Sequence, residues 1–317
     1  RKNIKFLNSF LNSLNQIILP INYNLKLVFV IESDLVIATN LIKKIIKKID
    51  YTILLSGKKS IPYSRNIFLN FLQKQTYEFA GFLDDDCIVN NKWLFNMIKF
   101  FNNYNCDIVG GPQKHQVKNT KFKDFFNIIE PKRHHGELVK WVASNNCFFS
   151  NKITKNSEIT FDNNLKNYGG SDQLFFSQLS KKNFKIRWNI LSFITEKYQI
   201  ERENKLWFFK RNLRFGYSGN LIDKKNYGNL SKILVPIKIV HLLSNAFVLL
   251  IIPTRKNLIK SSFLFFRAVG QDIKTFADTY LFSKIGITPD SAQWWRDNTS
   301  GGQANGNYLA YCCLDMT

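Results

Sequence analysis

Three short apolar runs, at residues 25–31, 51–55 and 77–83, constrain this chain more than any other feature, because a stretch of helical periodicity follows each one. Runs so short, and so rich in Leu, Val, Ile and Phe, suit strands buried on both faces. Ahead of the first run Ile4, Leu7, Leu11, Leu14 and Ile18, and between the first two Leu41, Ile42, Ile45, Ile46 and Ile49, recur at the spacing of one helix face. A further helix is predicted over 64–75, and another opens at Trp93 and Leu94. Strands that alternate with helices need crossover connections, so the pattern predicts an α/β fold with a mostly parallel central sheet flanked by helices. Apolar residues make up 45% of the 317 and Phe alone supplies 29, enough to build such a core and to exclude a disordered chain.

The formal net charge is +22. A charge of that size fits a nucleic-acid or membrane-surface binder, but the lysines are spread widely, as on the outer side of the second helix (Lys43, Lys44, Lys47, Lys48). The plainer explanation is a set of solvated helix faces, and no module with base-stacking aromatics is visible, so no nucleic-acid partner is expected. The five cysteines, Cys87, Cys106, Cys147, Cys312 and Cys313, show no CxxC spacing. That speaks against a zinc ribbon or a disulfide scaffold and suits a reducing compartment, so a cytoplasmic location is expected. The sequence opens at Arg1 without Met or a signal-like leader and already inside a helix, so a longer gene product lacking its first strand here is expected.

Toward the C-terminus residues 233–253 form the most apolar stretch, and 259–269 repeats the theme. Pro236, Lys238, His241, Ser244 and Asn245 interrupt the first, and its clean part, 246–253, is well short of the ~20 apolar residues a spanning helix needs. An in-plane or re-entrant helical pair at the inner face of the cell membrane, flanked by Lys224, Lys225, Lys232, Arg255, Lys256 and Lys260, and a plain buried helix both fit. The last 33 residues contain no Lys. Three segments follow from this: a catalytic domain over 1–225, an apolar and basic helical extension over 226–284, and an irregular tail over 285–317.

The strand at 77–83 runs directly into Asp84, Asp85 and Asp86. Adjacent carboxylates repel one another, and at the carboxyl end of a strand in an α/β sheet they lie where ligands bind. Hard oxygen donors there suit Mg²⁺ or Mn²⁺ shared with a substrate diphosphate. An acidic helix start is the plainer alternative, since Asp is favoured at that position. Other segments accumulate around the aspartates: IPYSRNIFLN with Arg65 and Asn66, GGPQ at 110–113, SNNCFF at 144–149, FDNNLKNYGGSDQLF at 161–175 and ERENKLWFFKRNLRFG at 201–216.

In this order the series resembles the family 2 glycosyltransferases of the bacterial exopolysaccharide and lipopolysaccharide type, which are inverting, nucleotide-sugar-dependent enzymes with a GT-A fold. The resemblance covers roughly residues 1–220. It implies that Asp84 and Asp85 face the nucleotide and that Asp86, with Asp84, holds the metal. It implies that Asp34 or Glu32 reads the base, and that Arg65 lies beside the nucleotide. Asp172 in GGSD would be the general base, and Gly169 and Gly170 would let the backbone approach the sugar. Ser171 stands where the family usually carries an acid. A helix N-cap is the simpler role for Asp172. Arg211 and Arg214, one helical turn apart, could clamp the leaving diphosphate or belong to a membrane-facing surface. His134 and His135 are expected at the surface.

The implied reaction is metal-dependent sugar transfer from a nucleotide-sugar, a UDP-sugar first of all, to a glycan or lipid-linked acceptor, with peripheral contact to a membrane. The alternatives are nucleotidyl transfer onto a sugar phosphate and a non-catalytic basic protein that binds membrane or nucleic acid.

Overall fold

The computed structural model describes residues 2–32, 35–197, 202–276 and 308–316. In chain order the elements are α1 (Lys2–Leu14), β1 (Tyr23–Ile31), α2 (Leu35–Ile45), β2 (Asp50–Leu55), α3 (Ile61–Leu72), β3 (Phe79–Asp84), β4 (Cys87–Val89) and α4 (Trp93–Asn103). Next come β5 (Ile108–Gly110), β6 (Gln113–Gln116), α5 (Lys123–Ile129), β7 (Asn146–Ser150), α6 (Lys152–Lys155), α7 (Ser171–Lys181), β8 (Ile186–Trp188) and β9 (Ile194–Lys197). Helices α8 (Lys205–Tyr227), α9 (Ser231–Ile251) and α10 (Arg255–Phe276) follow, and β10 (Tyr308–Met316) is the last element.

Seven strands make one sheet in the order β2-β1-β10-β3-β7-β5-β8, and β4-β9-β6 form a small second sheet. Pairs β1–β2 and β5–β8 are parallel, whereas β10 is antiparallel to β1 and β3, and β7 is antiparallel to β3 and β5. Strands β2, β1, β3, β5 and β8 therefore run the same way, and their carboxyl ends gather on one edge. This is the expected α/β architecture, with two reversed strands among the parallel ones.

Period-two alternation explains how the sheet is covered. On one face Leu25, Leu27, Phe29 and Ile31 of β1 and Leu83 of β3 pack with Phe10 of α1, Ile42 of α2 and Trp93 of α4. On the other face Val28, Val30, Ala80 and Phe82 meet Phe68 and Leu72 of α3 and Phe175 and Phe176 of α7. The helix predicted over 64–75 begins earlier, at Ile61, because Pro62 fits the first turn, where no amide hydrogen is needed. The first helix stops at Leu14, and beyond it the Ile18 amide bonds Asn91 O at 2.8 Å.

Helix α8 runs through residue 225, where a domain boundary was expected, and lies backbone to backbone against α10. A Cβ at Gly216 would meet Arg267 O at 2.1 Å, and one at Gly270 would meet Leu213 O at 2.0 Å. Of the tail expected to be irregular, Tyr308–Met316 forms the central strand β10, and 285–307 lies outside the described residues.

Candidate active site

The carboxyl ends of β1 and β3 bring their acidic residues to one edge. Glu32, directly after β1, accepts hydrogen bonds from Ser60 N at 3.2 Å and Ser64 Oγ at 2.8 Å, both at the start of α3. Asp34 lies outside the described residues. Asp84 closes β3 and stands 3.6 Å from Arg65 Nη2. Burial raises its carboxyl to about 7 against the pull of Arg65, and Asp86 and Asp172 add to the rise. Asp85 is buried, and burial followed by the charges of Asp86 and Asp84 pushes its carboxyl well above the ordinary range. Asp86 is also raised to about 7, first by burial and next by Glu196, while Arg202 pulls the other way. The trio is thus short of positive charge.

Arg65 is the cation that binds this edge together. It is 4% exposed, donates to Asp172 Oδ1, reaches Asp84, and lies over the Phe161 ring at 5.4 Å. Residues that are 107 positions apart in the chain are joined in this way.

Asp172 lies in the first turn of α7, but the N-cap position belongs to Gly170, which has no side chain to bond the free amides. The Asp172 carboxylate turns away from α7. Oδ2 accepts from Ser144 N at 3.1 Å and Ser144 Oγ at 2.9 Å, while Oδ1 takes Arg65 and, at 3.3 Å, Ser171 Oγ. The N-cap role is thereby excluded. Gly169 and Gly170 adopt φ of +74° and +80°, and α8 occupies the space their side chains would need. A Cβ would meet Arg214 Nη1 at 3.1 Å from Gly169, and Ile222 Cδ1 at 2.8 Å from Gly170. These contacts account for both glycines through the turn and the packing of α8.

Helix α8 carries the basic half. Arg214 is 7% exposed, and its Nε has no hydrogen-bond partner among the described residues. Burial, then Arg211 and Arg202, lowers its guanidinium to about 9. Arg211 lies over the rings of Trp207 and Phe215 at 5.0 and 5.1 Å, and Arg267 of α10 comes over the same Phe215 ring at 5.4 Å. Arg267 donates to Asn212 Oδ1 at 2.7 Å, and burial, followed by Arg211, lowers its own guanidinium to about 10.

The two halves meet in the small sheet. Glu196 of β9 is paired in register with Cys87 of β4 on one side and His115 of β6 on the other. It stands 3.6 Å from Arg202 Nη1 and 3.7 Å from His115 Nδ1. Burial and then Arg211 and Arg202 depress the His115 imidazole to about 3, so it is neutral at physiological pH. Glu196, His115 and Arg267 were not among the residues expected from the sequence. The one local signal was that Glu196 alternates with buried Ile194 on the same face of a strand. His134 and His135 are exposed, and His135 packs against the rings of Phe100 and Tyr104.

Among the described residues no three Asp, Glu, His or Cys side chains converge to hold a metal ion by themselves. Asp84 and Asp86, both raised to about 7, suit instead a cation that completes its shell with ligand oxygens, the manner in which Mg²⁺ is commonly held.

No family model and no curated protein matches the sequence. The fold is similar to the crystal structure of S. aureus TarS 1–349 in complex with UDP-GlcNAc, with a TM-score of 0.50 and 13% identity over 88% of this chain and 90% of that one. The same protein in complex with UDP gives 0.49 and 14%, over the same shares of both chains.

Proposed function

We propose that this chain is a glycosyltransferase of family 2 type, transferring a sugar from a UDP-sugar to a glycan or lipid-linked acceptor with inversion and with Mg²⁺ or Mn²⁺ as cofactor. The observation that carries this reading is the juxtaposition of two buried and oppositely incomplete charge clusters: Asp84–Asp86 are short of positive charge even with Arg65 and Arg202 acting on them, and Arg214 Nε has no hydrogen-bond partner among the described residues. A nucleoside diphosphate bound together with a divalent cation supplies both. The order of the motifs supports the same class, as does a fold neighbour crystallised with UDP-GlcNAc. We read the location as cytoplasmic.

In this reading Asp86, with Asp84, holds the cation, which when bound supplies charge neutralisation to the diphosphate. Glu32 lies at the nucleotide end, and Arg65 fixes Asp84 and Asp172 relative to one another. All four lone-pair positions of Asp172 are engaged, the weakest contact being Ser171 Oγ at 3.3 Å. An acceptor hydroxyl that displaces this contact gives its proton to Asp172 Oδ1. Its oxygen forms the new bond to the anomeric carbon as the bond to the diphosphate oxygen breaks on the opposite face. The electron pair leaves with the diphosphate, and Arg211 and Arg214 meet the charge that develops there.

Isothermal titration with UDP-sugars, with and without Mn²⁺, tests the proposal. The expected result is cation-dependent binding that Asp86→Asn weakens. Failure of every UDP-sugar to bind in either condition would remove the reading, and release of pyrophosphate on turnover would make the chain a nucleotidyltransferase.

A further inference from the structure

Helix α9 has its chemistry reversed relative to the surface helix of a water-soluble domain. Its buried residues, Ser231, Val235 and Ala246, form a stripe turned toward α8 and α10. At 100° per residue the opposite face carries Ile233, Ile237, Val240, Phe247, Val248 and Ile251, each 59–71% exposed. That face extends for about 27 Å, the rise of 18 residues. A plain buried helix, one of the two forms open from the sequence, does not fit, since only 11% of the apolar window is buried. An outward apolar face of this length needs a cover.

The surrounding charge selects the cover. Residues 224–271 contain eight Lys and Arg and no Asp or Glu. Lys232, Arg255, Lys256 and Lys260 are exposed at or near the ends of α9. A protein partner carries no general requirement for a rim of one sign, whereas an anionic bilayer surface does. The orientation follows from the third side of the helix. Lys238, ion-paired to Asp223 of α8 at 2.6 Å, and His241, hydrogen-bonded to Asn245, sit at mid-length. A helix crossing the bilayer would carry these groups to its centre, where they are costly.

We infer that α9 docks in the plane of an anionic membrane, its Ile233–Ile251 face among the acyl chains and its lysine rim at the headgroups. The inference goes beyond sugar transfer and does not depend on it. Because α8 carries Arg211 and Arg214 and packs on both α9 and α10, the docked helix ties the charged site to the bilayer surface. A lipid-borne acceptor would then reach the site without leaving the membrane.

Co-sedimentation of the full chain with vesicles of phosphatidylcholine alone, and of phosphatidylcholine mixed with phosphatidylglycerol, tests the inference. The expected result is binding to the mixed vesicles, weakened about tenfold or more by the double variant Ile237→Glu/Phe247→Glu. Lys232→Glu/Lys256→Glu should abolish the preference for phosphatidylglycerol. These positions are exposed, so circular dichroism and UDP-sugar titration should match the wild type. The inference is overturned if the wild type stays in the supernatant with both vesicles, or if Ile237→Glu/Phe247→Glu sediments as the wild type does. Two further outcomes overturn it: a lipid-free dimer in light scattering that this double variant dissociates, which makes the face a subunit interface, and resistance of the bound chain to alkaline carbonate, which makes α9 a spanning helix.

Discussion

The acidic and basic halves of the site are both buried, yet they are held in opposite ways. On the strand side, Arg65 ties Asp84 and Asp172 into one network, so the half is internally bonded although it is short of positive charge. On the helix side, Arg214 lies against the Gly169 backbone, the charges of Arg211 and Arg202 repel its own, and its Nε has no hydrogen-bond partner among the described residues. The first arrangement fixes geometry and the second stores unspent attraction for an anion. Removing charge from each half should therefore have different consequences.

The largest effect is expected where chemistry and network coincide. Asp172→Asn should lower turnover by about 10²–10⁴ while UDP-sugar affinity stays near that of the wild type, as steady-state kinetics and titration would show. A purely structural Asp172 would instead lower the unfolding midpoint and leave turnover per folded molecule unchanged. Arg65→Ala comes next. It leaves Asp84 and Asp172 without their shared cation in a buried setting, an imbalance that costs about 3–5 kcal/mol. Urea unfolding should register the loss, and a variant as stable as the wild type would show that the network contributes nothing.

A third effect belongs to the acidic half alone. Asp84 and Asp86 have folded-state values of about 7 against an ordinary 3.8. Between those limits the folded chain holds protons that the unfolded chain releases. The associated stability is complete at low pH and is lost as pH rises through about 7, at no more than about 1.4 kcal/mol per pH unit for each carboxyl. His115 acts with the opposite sign, because its folded value of about 3 lies below 6.5, and it destabilises as pH falls beneath 6.5. Above 6.5 the unfolded His115 loses its remaining charge and its opposing contribution fades, so from 6.5 to about 8 the two carboxyls dominate. The urea midpoint should fall across that window, and Asp86→Asn should flatten the slope. Mn²⁺ competes with the same protons, so its affinity should rise with pH over the same range.

How much of this was legible follows from the range of the interactions. Strands β1 and β3 were readable because buried strands must be apolar, β2 because a short apolar run marks it although it lies half-exposed at the sheet edge, and Asp84–Asp86 stood out because they end such a run. The contact of Arg65 with Asp172 was not readable, since nothing local records an approach across 107 positions. Glu196 and His115 were hidden for a related reason. QKHQ and ITEK look like polar loop segments, and only the pairing of β6 and β4 with β9 brings Glu196 and His115 together. The central place of β10 was equally hidden, because strand propensity carries no information about register.

The smallest effect sharpens the comparison most. Arg214→Met keeps much of the length and apolar contact of the side chain while removing a buried guanidinium whose Nε has no hydrogen-bond partner among the described residues. Replacing an uncompensated buried charge by an apolar residue of similar volume is commonly neutral or stabilising. The unfolding free energy should therefore stay within about 1 kcal/mol of the wild type or rise, in contrast to the several kcal/mol expected for Arg65→Ala. UDP-sugar affinity should fall, because a lost charge-assisted bond is worth about 1.5–3 kcal/mol, roughly tenfold or more. Unfolding and titration on the two variants separate the halves. Arg65 would behave as a structural tie and Arg214 as a charge kept for its ligand. If Arg214→Met lost as much stability as Arg65→Ala, the helix side would also be an internally bonded network, and the case for an anion at that position would be gone.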